Sequence, residues 1–222
     1  MDVWNFIVDH GSELSSNGAT HARLVATALV LAVPVAVVIG VLASSRPRLA
    51  GVALAVAGVI ITIPSFALFG ALIAPLGLGF RPAVATLALY SLLPVLRNTI
   101  VGLDEVPVDV VEAARGMGMT GRQVLWRVSM PLALPVIIAG VRVATVMIVG
   151  ITTIAALITA GGLGTFIFDG LRSGDRTEIV AGTVTIVALA LAFDGALAVI
   201  ERLLRRHAPR EGAVAPVAPA AA

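Results

Sequence analysis

Five runs of about 20 apolar residues, interrupted by few charges, dominate this 222-residue chain, and each has the length a helix needs to cross roughly 30 Å of hydrocarbon. They fall near 24–43, 49–73, 82–101, 134–156 and 179–200, with Pro64 inside the second. In lipid the backbone must satisfy its own hydrogen bonds, so the expected fold is all-α, a polytopic membrane protein with about five transmembrane helices. Hydrophobic residues make up 59% against 13% charged, and the mean hydropathy is +1.04. A soluble domain with a solvated surface does not easily reach that balance.

Residues 1–20 are polar and acidic (Asp2, Asp9, Glu13) around one apolar patch of Trp4, Phe6, Ile7 and Val8. They lack the basic start of a cleavable signal, so the first span is expected to be retained as an anchor. A transmembrane domain follows over 21–206, with a polar loop at 102–133, and the Ala/Pro/Val tail at 207–222 has too little to bury and is expected to be disordered. Orientation follows from the arginines. With the N-terminus outside, the inner side receives Arg46, Arg48, Arg97, Arg115, Arg122, Arg127, Arg202, Arg205, Arg206 and Arg210, and the outer side only Arg23, Arg81, Arg172 and Arg176. Cytoplasmic loops retain basic residues, which gives an extracytoplasmic N-terminal segment, a cytoplasmic C-terminus and a cytoplasmic 102–133 loop.

Several chemistries are excluded by what the chain does not contain. All 15 basic residues are arginine, so no lysine can reach the phosphates in a nucleotide-binding loop, and Ala160 to Gly164 reads as a turn or short half-helix instead. There are no cysteines, and no cofactor or metal-ligand cluster is indicated. The net charge of +2 points to no nucleic-acid partner. His10, His21 and His207 fall outside the predicted spans and no paired intramembrane carboxylates occur, which argues against a membrane hydrolase.

The polar loop carries the clearest motif. It reads Glu112-Ala113-Ala114-Arg115-Gly116-Met117-Gly118, then nine residues, then Val128-Ser129-Met130-Pro131. A helix at a membrane face that docks into a soluble partner needs small residues for close approach, here Ala113, Ala114, Gly116 and Gly118. It also needs turn residues to leave, here Gly118, Gly121, Pro131 and Pro135, with proline opening the next helix. The pattern resembles the EAA loop of ABC importer permeases: Glu-Ala-Ala, three residues, Gly, nine residues, an aliphatic residue, any residue, Leu-Pro. Val128 and Met130 depart conservatively. The runs from Ile63 to Phe69, Tyr90 to Ile100, Glu112 to Ala144 and Ala155 to Leu163 are similar to the permeases of quaternary-amine importers. The resemblance implies a type I ABC importer permease with a cytoplasmic EAA coupling helix, taking glycine betaine, choline or carnitine. It implies as partners ABC ATPase subunits that hydrolyse ATP, a second permease subunit, identical or related, and an extracytoplasmic substrate-binding protein. The ATPase-coupling residues would be Glu112, Ala113, Ala114, Arg115, Gly116, Gly118 and Pro131. A permease for another small solute and a self-contained secondary transporter are the alternatives, the second without the internal repeats such proteins usually show.

Aromatics are only 5% of the chain and scattered, so no cage for a trimethylammonium group is visible, and recognition is expected in the separate binding protein. Candidates to face the passage are Pro64, Ser65, Tyr90, Ser91, Asn98, Thr152 and Thr153, each with helix packing or a bond to the preceding turn as its alternative. Two charges interrupt apolar runs, Arg142 and Asp194. Each lies seven residues from an inner marker, Pro135 and Glu201 respectively, so the pair is expected to meet at similar depth, the alternative being separate snorkelling to the interface.

Overall fold

Prolines and glycines set where the long apolar helices break. In the computed structural model, which describes residues 2–207, α1 (Val3–Asp9) leads into α2 (Gly11–Ser44). α2 starts well before the apolar run, because its polar residues bond back to the preceding turn: Ser15 to the Ser12 carbonyl, Asn17 to Glu13 and Thr20 to Ser16. His21, expected outside the spans, therefore lies within α2. It is fully buried, with Nε2 donating to the Val149 carbonyl at 3.0 Å.

The run at 49–73 is not one straight span. α3 (Pro47–Thr62) and α4 (Ser65–Leu76) are bent by 97°. Ile63 precedes Pro64, whose ring disfavours a helical predecessor, and Ile63 is extended at ψ 127°. Its freed carbonyl accepts the Tyr90 hydroxyl from the neighbouring helix.

After a turn with Gly77 and Gly79 at positive φ, α5 (Phe80–Asp104) forms the centre of the bundle, packed against α2, α3, α4 and the long helix at Met130–Thr152. α6 (Val108–Gly116) and α7 (Gly121–Val124) follow; a wide π turn at Leu125–Ser129 then joins α8 (Met130–Thr152), and the chain continues as a 3-10 segment at Thr153–Ile158. This corrects the expected role of the prolines. The helix opens at Gly121 rather than at Pro131 or Pro135, and runs on to Ile158. The π turn widens the backbone just where the Pro131 ring would press on the carbonyl four residues earlier. Gly161 and Gly162 then turn at φ 76° and 94°, and α9 (Gly164–Ser173) precedes α10 (Arg176–His207). The tail expected to be disordered lies, from 208 on, outside the described residues.

Helices α2, α5, α10 and the run through α8 are each long and apolar enough to cross a bilayer, and α3–α4 makes a fifth if the bent pair counts as one. Lipid supplies no hydrophobic force between helices, so close packing must hold them. Glycines provide it. A Cβ on Gly40 of α2 would stand 2.6 Å from the Thr99 methyl of α5, and one on Gly140 of α8 would stand 2.5 Å from Asn98 Cβ.

Candidate functional site

Three buried side chains, Val106, Ala114 and Val124, pin the EAA-like loop to the rest of the molecule. Asp109 in the first turn of α6 and Arg115 in the last complement its dipole. The helix closes on Gly118, which sits at φ 84° and donates to the Arg115 carbonyl at 2.9 Å, while the Met119 amide donates to Ala114 at 3.2 Å. Thr120 then starts α7 with a reciprocal cap: its amide donates to Gln123 Oε1 at 2.8 Å, and its hydroxyl accepts from the Gln123 amide. Glu112, Ala113, Arg115, Gly116, Gly118 and Pro131 are all exposed, as are Val108 and Met117 at 70% and 74%. A nine-residue helix with one buried side chain cannot hold itself together in water.

The passage candidates do not form one lining. Tyr90, Ser91 and Thr152 are buried in the bundle; Ser91 bonds back to Leu87, Thr152 to Ile148, and half-buried Asn98 to Pro94. Tyr90 meets the break next to Pro64. Pro64 is exposed, while Ser65 at the start of α4 and Thr153 at the start of the 3-10 segment are half-buried.

Arg142 and Asp194 face each other. Arg142 Nε and Nη2 donate to the two Asp194 carboxylate oxygens at 2.9 Å each, a bidentate pair joining α8 to α10. Nη1 donates to Glu201 Oε2 at 2.7 Å. Glu201 was read in the sequence only as a marker of the inner surface. Its place in the cluster follows from spacing: seven residues after Asp194 is two turns on the same helix face, within reach of one long guanidinium.

A family model described as "Binding-protein-dependent transport system inner membrane component" matches residues 32–206. The chain belongs to this family. As a member it is the multi-pass inner-membrane component of an ABC importer, the subunit that spans the membrane while ATP hydrolysis belongs to a separate subunit. The osmoprotectant import permease protein OsmW of Salmonella typhimurium is 44% identical over 200 residues, 87% of this chain and 93% of that protein. The glycine betaine/carnitine/choline transport system permease protein OpuCB of Bacillus subtilis is 38% identical over 200 residues, 90% and 92%. A MetNI methionine ABC transporter in an inward-facing conformation has the same fold, with a TM-score of 0.67 at 22% identity over 86% of this chain and 94% of that one. The all-α permease fold expected from the apolar runs and the EAA-like loop is the one observed.

Proposed function

We propose that this subunit forms the transmembrane passage for a quaternary-amine compatible solute, glycine betaine, choline or carnitine, in an importer with two permease chains, two cytoplasmic ATPases and an extracytoplasmic binding protein. The observation that carries the solute class is that relatives matching about nine-tenths of the chain at 37–44% identity are osmoprotectant, carnitine, choline and glycine betaine permeases. The coupling residues are those of α6 and its exit turn. Ala113, Gly116 and Gly118 keep that surface low enough for an ATPase groove to close on it, Glu112 and Arg115 supply charge at its rim, and Ala114 anchors it from behind. ATP-driven motion of the docked ATPase then moves α6, and through the helical run from Gly121 to Ile158 it moves the bundle. The Arg142 pair holds α10 to α8 as this happens.

The N-terminus is outside and the C-terminus cytoplasmic in this reading, which puts α6 on the ATPase side. A cysteine at the exposed Ser15 then reacts with an impermeant thiol reagent in intact cells, and one at Arg122 only after permeabilisation; the reverse pattern rejects the orientation. Uptake of labelled betaine, choline and carnitine by the reconstituted complex tests the solute class. ATP-dependent accumulation of at least one supports it, and accumulation of none, by a complex that hydrolyses ATP when its binding protein is added, rejects it.

A further inference from the structure

The elbow between α3 and α4 leaves backbone bare deep inside the bundle's length. Thr62 stands roughly 22 Å along α3 from Pro47, at about 1.5 Å per residue. Tyr90, which bonds to the elbow, stands roughly 15 Å from the Phe80 end of α5 and roughly 21 Å from the Asp104 end. The two counts place the break well within the hydrocarbon. Part of the freed backbone finds partners in the chain: the Ile63 amide donates to the Ile60 carbonyl at 3.2 Å, the Val59 carbonyl accepts the Thr62 hydroxyl at 2.7 Å, and the Ile63 carbonyl accepts the Tyr90 hydroxyl. The amides that open α4 do not. Pro64 precedes the helix, no side chain caps it, and Leu68 is the residue whose amide reaches back to the Pro64 carbonyl, at 3.1 Å. Ser65, Phe66 and Ala67 therefore present first-turn amides with no acceptor among the described residues. Thr62, Pro64, Phe66 and Ala67 are exposed, Phe66 to 61%.

We propose that this elbow lines the water-filled passage between the two permease chains, with Thr62, Pro64 and Phe66 among the residues the solute passes. This deepens the proposed function and rests on it for the paired chains and the solute. Lipid is a poor cover here, because acyl chains accept no hydrogen bond and a backbone amide, unlike an arginine, has no long stem with which to reach the interface. Irregular backbone at such depth persists where protein buries it or where it lines a water-filled cavity, and this chain does not bury it. Water supplies the missing acceptors with no fixed side chain for a passing solute to displace. Tyr90 meanwhile holds the Ile63 carbonyl from the bundle side. The surface of α2 differs. Gly40 packs on Thr99, and α2 and α5 run in the same direction, with Leu24 and Ala28 clustered with Ala83 and Leu87, and Ala36 and Ala43 with Val95 and Ile100. Leu31 and Tyr90, each nine residues before that contact, are level, and Leu31 is an exposed apolar residue on a continuous helix.

The native chain has no cysteine, so a single introduced thiol reports its own surroundings. Thr62→Cys, Phe66→Cys and, as the control at the same depth, Leu31→Cys are made in the complete complex in proteoliposomes. Each is exposed to a trimethylammonium-bearing methanethiosulfonate and, separately, to a lipid-soluble maleimide, with and without ATP. Labelling is followed on the permease chain, and betaine uptake is measured before and after. The cationic reagent is expected to modify the Thr62→Cys and Phe66→Cys thiols at least about tenfold faster than the Leu31→Cys thiol, because the reactive thiolate forms in water and not in hydrocarbon. Modification at position 66 stops uptake. Reaction at 62 and 66 no faster than at 31 in either condition, or only with the maleimide, overturns the proposal in favour of lipid. Cross-linking of the Phe66→Cys variant between two permease chains, with no aqueous reactivity at 62 or 66, overturns it in favour of a dry contact with the second chain. Fast cationic labelling in a complex that takes up no quaternary amine leaves the aqueous elbow standing, and the solute reading is what fails.

Discussion

The charged residues of α6 stand in the open, while those joining α8 to α10 meet across 52 and 59 residues of sequence. In the first region, motif and geometry coincide. Glu112 to Gly118 are contiguous, and the helix they form is held by one buried alanine and a glycine exit turn. In the second region the only local mark is a charge interrupting each of two apolar runs, and the site exists because two helices bring those opposite charges to one depth. In the proposed reading the exposed loop is there to be covered by another chain, whereas the cluster joins α8 to α10 within this one. Substitutions should therefore separate the two regions, with losses of folding at one and losses of coupling with the fold intact at the other.

The largest effect is expected at the cluster. Arg142→Gln leaves Asp194 and Glu201 facing each other without the guanidinium, and the yield of monodisperse protein from the membrane should fall by about an order of magnitude. Asp194→Asn should be milder, since Glu201 still holds the arginine, and adding Asp194→Asn to Arg142→Gln should restore part of the yield. Strictly additive losses across these variants would contradict a coupled cluster.

Glycines sharpen the same contrast. A Cβ at Gly140 would press on Asn98 and on the Pro94 carbonyl at 2.8 Å, so Gly140→Ala should lower stability by about 1–3 kcal/mol in thermal unfolding. Gly116 has nothing within 4 Å of a Cβ, and Gly116→Ala should leave stability unchanged or slightly raised. Equal losses at the two positions would remove the distinction between packed bundle and open loop. The smallest effect is expected from Tyr90→Phe, which removes the hydroxyl that satisfies the Ile63 carbonyl at the break, a loss of about 1 kcal/mol in the same measurement.

The sequence made the bundle legible because a span announces itself by length and apolarity, and α6 legible because its signal is contiguous. The 97° break at Ile63–Pro64 was only half visible. Pro64 marked a disturbance, but the sharp bend also depends on Tyr90, 27 residues away, which supplies a hydrogen bond to the open carbonyl. The helical start of α2 and the burial of His21 were not visible, because a polar stretch can stay helical by bonding back to its own turns and a histidine can be buried against a partner distant in sequence. That partner is the Val149 carbonyl, which accepts from His21 Nε2. The π turn was missed for a related reason, since Pro131 reads as a helix start until Thr120 is seen to cap one earlier.

The central claim is that the α6 surface is where the ATPase grips this permease. Gly116→Trp tests it most directly, because the position is exposed, its φ is not positive and the space around it is open, so the bulky side chain burdens only what docks there. The measurement is the ratio of ATPase to permease recovered on affinity purification from the membrane, taken with betaine uptake by the same preparation. The account predicts a correctly folded Gly116→Trp permease, a recovered ATPase fraction reduced by at least about tenfold and no ATP-driven uptake, since one large residue in a closely packed interface is enough to prevent docking. A Gly116→Trp complex that keeps its full complement of ATPase and transports at the wild-type rate would contradict it.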